Sequence, residues 1–307
     1  MESPYNEVMS LLLVFLDGVG LGEADPAHNP WVAAHTPTLR SLLGQPLAGA
    51  ERVDLNGTLL IPTDATLGVA GLPQSATGQT ALLTGLNAPA LVGRHVTAYP
   101  TTDLRALLAE HNLFSRLSAA GRSVALANAY TEEYHEAVAA RRLRHGAITT
   151  AAVSAGVRLR TVDDLRRGEA VFHDLTNARL RSWGYDLPLL TPFQAGQNLA
   201  RLAATHDFVL FEFFLTDLVA HGRVDVDPVM IVEMVDEMLA GVIAALPPEV
   251  TLVVTSDHGN LEDGRTRVHT TNPVPTLVTG PARHHFRDVA DITDIAPAVL
   301  RSVGVEA

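Results

Sequence analysis

Leu11-Leu12-Leu13-Val14-Phe15-Leu16-Asp17-Gly18 sets an unbroken apolar run directly before an acid and a glycine. A strand buried on both faces has this continuous character, whereas a half-exposed strand alternates. The stretch therefore predicts a central strand that ends at Asp17. Runs at 123–127, 208–213, 251–255 and 276–279 read the same way. Helical patterns alternate with them at 36–43, 76–86, 103–120, 191–206, 226–246 and 291–303. In 226–246, Met230, Ile231, Met234, Val235, Leu239, Val242 and Ile243 fall on one apolar face and read as core, with Glu233, Asp236 and Glu237 opposite. Strands alternating with helices imply an α/β fold, a doubly wound, mainly parallel sheet flanked by helices. Residues 1–136 and 191–307 read as the core domain. Residues 137–190 break the rhythm and read as a small Arg-rich insert, a lid or an oligomer arm.

Composition narrows the function. The chain has 307 residues, is 47% hydrophobic and carries a net charge of -12, which argues against nucleic acid as a partner. It contains no cysteine and no lysine, excluding disulfides, thiolate ligands, a P-loop lysine and a Schiff-base lysine. Its apolar runs are too short to span a bilayer, and the expectation is a cytoplasmic protein acting away from membranes. The charge is uneven: residues 137–190 carry +4 and the remainder -16.

In doubly wound sheets, ligands bind beyond the carboxyl ends of the strands. Asp17 follows one predicted strand, Asp217 and His221 follow another closely, and Asp257 and His258 follow a third. His269 lies in a loop stiffened by Pro273 and Pro275. Three carboxylates and three imidazoles suit two borderline divalent ions, Mn2+ or Zn2+. Asp217 and His221, spaced i, i+4, face the same way on one helical turn. Two metals a few ångströms apart serve phosphoryl transfer, which also needs a nucleophile. The segment Gln74-Ser75-Ala76-Thr77-Gly78-Gln79 offers Ser75, at an expected helix N-cap, and Thr77. A competing reading is Gly18-Val19-Gly20-Leu21-Gly22 as a dinucleotide loop. Pro26 and Pro30 interrupt the helix it should open, and Asp17 would repel a pyrophosphate.

The segments F-L-D-G-V-G, H-N-P-W-V-A-A-H-T-P-T-L, Q-S-A-T-G-Q, T-D-L-V-A-H, S-D-H-G-N-L-E-D and H-T-T-N-P-V-P together resemble the alkaline phosphatase superfamily. The likeness is greatest to its cofactor-independent phosphoglycerate mutase and phosphopentomutase branch, over roughly 10–90 and 190–300. The resemblance implies one metal held by Asp17, Ser75, Asp257 and His258, and a second held by Asp217, His221 and His269. It selects Ser75 over Thr77, because the family's nucleophile stands three residues before the glycine seen here as Gly78. It also implies a substrate contact at Asn29 and a phosphoserine intermediate.

Two departures bear on the reaction. The resembled mutases carry a large cap domain where this chain has only a short stretch, about 87–102. They also place a lysine where Thr131-Glu132-Glu133-Tyr134 has Glu133, a negative charge where a phosphate partner is expected. Arg141, Arg142 and Arg144 could replace the cap's arginines or form a solvated helical face. The expectation is a phosphomonoesterase acting on a small phosphorylated metabolite, with a phosphomutase or phosphodiesterase as the alternative.

Overall fold

The computed structural model describes residues 9–306. Its strands are β1 (Ser10–Leu16), β2 (Val53–Leu55), β3 (Thr58–Thr63), β4 (Val124–Leu126), β5 (Ala129–Tyr130), β6 (Arg160–Thr161), β7 (Phe208–Phe213), β8 (Val250–Thr255) and β9 (Val274–Thr279). Seven of them form one sheet in the order β2-β3-β9-β8-β1-β7-β4, and β5 pairs with β6. β1 lies in the middle, parallel to both β7 and β8.

The unbroken apolar run of β1 now has its cause. Leu12, Val14 and Leu16 enter one core cluster, while Leu11, Leu13 and Phe15 enter another on the opposite face. The helices Pro192–Ala203 and Pro228–Ala245 cover the first face. The helices Ser75–Thr84, Leu113–Ala119, Ala147–Ser154 and Ile295–Ser302 contribute to the second. Each large side chain buried this way contributes roughly 1.5–3 kcal/mol, so a charge at any of these positions would disrupt the sheet.

The strands β4, β7, β1 and β8 form the parallel block that the sequence pattern implies, and antiparallel strands extend the sheet at one side. β9 runs antiparallel to β8 and to β3, and β2 is antiparallel to β3. The reason lies in the connections. The stretch 256–273 contains no helix, so the chain returns directly beside β8, whereas a parallel neighbour needs a crossover. Asn56 and Gly57, both with positive φ, close the β2–β3 hairpin.

The helix expected at 103–120 is two, Thr102–His111 and Leu113–Ala119, divided at Asn112. The Asn112 Oδ1 accepts from the Ser115 N–H at 3.0 Å and starts the second helix. In Pro228–Ala245 the expected core face is narrower, with Met230 and Ile243 exposed. Asp236, expected on the polar face, is buried and accepts from the Thr38 and Leu39 N–H groups at 3.0 and 2.8 Å. It caps the start of the helix Pro37–Leu43 from a distance.

Residues 137–190 divide between two packings. The helix Ala147–Ser154 sits in the main core, while Val162, Leu165, Phe172, Leu180 and Leu187 form a small cluster of their own.

Candidate metal centre

The carboxyl ends of β1, β7 and β8 converge on one edge, and each carries acids just beyond it. Asp17 ends β1, with its N–H donating to the Phe213 carbonyl at 3.0 Å. Asp217 lies in the short helix Leu215–Ala220 after β7, and His221 follows as its C-cap. Asp257 and His258 follow β8 after one residue, Ser256, whose Oγ accepts from the Val19 N–H. Gly18 has φ +68°, and a Cβ there would stand 2.7 Å from Asp217 Oδ1, so only glycine lets these two segments meet. Ser75 is the first residue of its helix; Gln74, not Ser75, is the N-cap, and its side chain makes no cap. The Ser75 hydroxyl is instead 3.0 Å from His258 Nε2. A Cβ on Gly78 would lie 2.8 Å from the Asp257 carbonyl oxygen, so the glycine admits the helix to this distance.

The donors form two adjoining groups. His221 Nε2 and His269 Nε2 lie 3.0 Å apart, and Asp217 Oδ1 is 3.4 and 3.5 Å from them. His258 Nε2 is 3.4 Å from Asp17 Oδ1 and 3.6 Å from Asp257 Oδ2. A tetrahedral ion with ligands at about 2.0–2.1 Å separates its donors by roughly 3.3 Å. The two groups abut, with the His258 and His269 rings stacked at 3.7 Å. Ligand atoms of Asp217, His258 and His269 also lie within 4.8 Å of one another, so His258 stands between the two groups.

The hydrogen bonds fix what these atoms can do. His221 Nδ1 faces the Arg267 carbonyl at 2.7 Å, and His269 Nδ1 faces the Pro73 carbonyl at 2.7 Å. A carbonyl only accepts, so each Nδ1 carries a proton and each neutral ring presents a bare Nε2. Two bare nitrogens 3.0 Å apart repel unless a cation joins them. Asp17 Oδ1 and both Asp257 carboxylate oxygens are buried without a hydrogen-bond partner among the described residues. Buried acceptors of this kind are costly unless an ion satisfies them. The residues fit divalent metal ions.

The electrostatics agree. Burial, followed by the Asp257, Asp217 and Glu212 charges, pushes the Asp17 carboxyl well above the usual range. Burial and then the Asp217 charge push Asp257 up to about 7, and burial and Asp257 push Glu212 up to about 7. Burial holds His258 down to about 4; burial and then His258 hold His269 down to about 4. Crowded acids resist ionising and crowded imidazoles stay neutral, and a bound cation reverses the first effect and uses the second.

The outer residues were not anticipated. Asn260 Nδ2 donates to Asp217 Oδ1 at 2.8 Å. Glu262, 2% exposed, accepts from the N–H groups of Gly20 and Asn260, from the Thr270 hydroxyl and from Asn272 Nδ2. A Cβ on Gly20 would collide with that carboxylate. The glycines that read as a dinucleotide loop thus wrap an internal acid.

Other predicted residues lie elsewhere. Thr77 is buried, donates to the Gln74 carbonyl at 3.1 Å and accepts from the Val96 N–H at 3.1 Å. Asn29 is 2% exposed and caps the helix Pro30–Ala33, with Oδ1 accepting from Trp31 N–H and Nδ2 donating to the Glu23 carbonyl. Both ends of its amide are engaged within the chain. A cleft of about 510 Å³ opens beside Ser75, Asp17 and Asp217; Arg144 lines it, and Arg141 and Arg142 are exposed outside its lining. Glu133 is also outside that lining, its carboxylate accepting from the Tyr185 hydroxyl at 2.5 Å. Arg158, Arg160 and Arg167 line a different cavity, of about 650 Å³, along with Arg201.

Fold and site together define a metalloenzyme of the alkaline phosphatase type. The family model of the Metalloenzyme superfamily matches residues 9–307, and the chain belongs to that superfamily. Among curated relatives, the 2,3-bisphosphoglycerate-independent phosphoglycerate mutase of Flavobacterium johnsoniae is 36% identical over 107 residues, 33% of this chain and 21% of that protein. The enzyme of the same name from Ruegeria pomeroyi is 36% identical over 113 residues, 34% of this chain and 22% of that protein. The match thus spans about a fifth of each relative's length. Among solved structures, alkaline phosphatase from the Antarctic bacterium TAB5 superposes with a TM-score of 0.56 at 13% identity, covering 97% of this chain and 98% of that one. A Leishmania mexicana phosphoglycerate mutase gives a TM-score of 0.53 at 12% identity, covering 99% and 97%. These likenesses are of fold. Among the described residues, no helix is long and apolar enough to cross a membrane.

Proposed function

We propose that this metalloenzyme is a phosphomonoesterase that hydrolyses a small phosphorylated metabolite through a phosphoserine at Ser75, with two divalent ions, Mn2+ or Zn2+. The observation that carries this reading is the Ser75 hydroxyl, 3.0 Å from His258 Nε2, at a helix start that faces the convergent acids and imidazoles. Asp17, Ser75, Asp257 and His258 would hold one ion, and Asp217, His221 and His269 the other. Bound there, the ions would supply Lewis-acid neutralisation of the phosphoryl oxygens and a lowered hydroxyl pKa. The Ser75 oxygen forms a bond to phosphorus as the bond to the ester's alcohol breaks. Water then cleaves the phosphoserine, releasing phosphate and restoring Ser75. Without a side-chain cap, the first-turn N–H groups of the helix Ser75–Thr84 are available to favour the anionic phosphoryl group.

A phosphomutase is the second reading, favoured by the local identity to phosphoglycerate mutases. Against it stands the lining of the cleft, where Arg144 and Arg223 are the only arginines among the described residues. The proposed partner is a small molecule rather than nucleic acid or a membrane, and the lack of cysteine fits work in the reducing cytoplasm.

The test is phosphate release from a panel of phosphorylated compounds by protein loaded with manganese or zinc. The expected result is release that needs metal and falls about a thousandfold or more in Ser75→Ala. Two bound metals with an isomerised ester and no free phosphate would transfer the assignment to a mutase. Protein that binds no metal would overturn both.

A further inference from the structure

The walls of the cleft have an unusual composition. Phe, Tyr and Trp make up 5% of the chain, yet Tyr99, Tyr130, Tyr134, Phe172, Trp183 and Phe214 all line this one opening. They are held as a set. The Tyr130 and Tyr134 rings lie 4.8 Å apart, and their hydroxyls bond to Thr149 Oγ1 at 2.8 Å and His145 Nδ1 at 2.7 Å. Those hydroxyls are engaged with the chain, so the rings, not the phenol groups, are left to meet a ligand. The His173 ring packs against Phe172 and Phe214, and burial keeps its pKa down to about 3, so it stays neutral.

At the mouth, Trp183 is 54% exposed and Tyr99 is 42% exposed. Trp183 does not swing freely: Phe172 meets it edge-on at 6.4 Å, and the Arg179 guanidinium sits 5.1 Å from its ring centre. Trp183 and Tyr99 thus give the lining of this cleft two half-exposed aromatic rings. A cleft of about 510 Å³ has the capacity of small-molecule sites, which run from about 300 to 1,000 Å³.

Given that Ser75 marks the phosphoryl end, which rests on the function proposed above, we propose that the substrate is a phosphate ester whose alcohol carries a flat unsaturated ring, a nucleobase or an aryl group. The ring stacks on the aromatic wall while the phosphate lies toward Asp17, Ser75 and Asp217. Every flat base or aryl ring has a π-face, so stacking on aromatic side chains accepts any of them. A short ester without a ring, such as a phosphoglycerate, would leave this aromatic wall uncovered.

Trp183 is a ready reporter, because the chain's other tryptophan, Trp31, is fully buried in the core. The experiment titrates metal-loaded Ser75→Ala protein with adenosine 5′-monophosphate, phenyl phosphate, ribose 5-phosphate and 3-phosphoglycerate, following tryptophan emission and binding heat. The expected result is saturable quenching and at least tenfold tighter binding for ring-bearing esters. In Trp183→Leu the quench disappears, and in both Trp183→Leu and Tyr99→Ala the affinity for these esters falls about tenfold. Both positions are exposed, and melting curves check that the variants fold. Adenosine monophosphate binding above phenyl phosphate assigns a nucleobase; the reverse assigns an aryl group. Ribose 5-phosphate or 3-phosphoglycerate binding as tightly as the ring-bearing esters, or no quench from any of them, overturns the inference. Quenching with no phosphate release from wild-type protein leaves it standing and removes the hydrolase reading. Rapid Ser75-dependent release from 3-phosphoglycerate without preference for rings does the opposite.

Discussion

Position 78 shows how little room the helix that begins at Ser75 has. The helix that carries Ser75 lies so close to Asp257 that an added methyl would stand 2.8 Å from the Asp257 carbonyl oxygen and 2.9 Å from its Cβ. Gly78→Ala is expected to cost about 1–3 kcal/mol of stability and to lower phosphate release about a hundredfold by displacing Ser75; thermal melts and steady-state rates on one preparation measure both. Thr77→Val separates the two hydroxyls of this segment. It removes two part-buried bonds, to the Gln74 carbonyl and from the Val96 N–H, so a loss of about 1–2 kcal/mol in stability is expected, with a rate close to wild type. A rate that collapses in Thr77→Val and survives in Ser75→Ala would reverse their roles. Asp17, Asp217, His221, Asp257 and His258 were legible as residue types near strand ends, because strands deliver their termini to one edge, and His269 as a histidine in a proline-stiffened loop. Asn260 and Glu262 were not, since a buried amide or acid declares its partner only after the chain folds.

Between elements, glycine sets the spacing of the two helices behind β1. A Cβ on Gly196 would collide with the Met238 carbonyl, and one on Gly241 with the Phe193 carbonyl. The helices Pro192–Ala203 and Pro228–Ala245 therefore meet backbone against backbone, with β7 and the Asp217 helix connecting them along the chain. Gly241→Ala is expected to destabilise by about 3 kcal/mol or more, because carbonyl and helix axis must both shift; denaturant unfolding gives the value, and a loss under 1 kcal/mol would contradict this packing. Reading the elements from sequence succeeded where apolar runs were continuous, as in β1, β7 and β8. The β2–β3 hairpin was missed although Asn56-Gly57 marks its turn. The direction of β9 was missed because apolar content is the same in a parallel and an antiparallel strand, and only the helix-free connection at 256–273 distinguishes them.

For the molecule as a whole, part of the positive charge is gathered away from the candidate metal centre, around Asp164. Two arginines of 137–190 turn to Asp164, whose carboxylate bonds to Arg158, Arg167 and the Thr161 N–H. Burial alone would raise the Asp164 pKa, but these bonds and charges outweigh it and hold it at about 2. The group is depressed from an ordinary value near 3.8, so its stabilisation is complete above about pH 4 and is lost as pH falls through about 2. The arginine heads are half-exposed, so the loss is on the order of 1–2 kcal/mol. Melting curves of wild type and Asp164→Asn should converge across that window; a constant gap down to pH 2 would contradict the assignment. The uneven charge was visible in the sequence, but not its local use: only folding shows that one buried acid gathers two of those arginines while Arg144 lines the cleft.

The turn of glycines after β1 has one more implication. In many folds such a turn is a berth kept open for a ligand's phosphate. Here the berth is already taken by Glu262, supplied from the far end of the same chain. The opening segment and the 256–273 connection are thus two halves of one clasp. A split protein, or a chimera joining the first strand of one relative to the last third of another, would carry half a clasp on each side. Neither half would close on a stranger that lacked either the glycine or the acid.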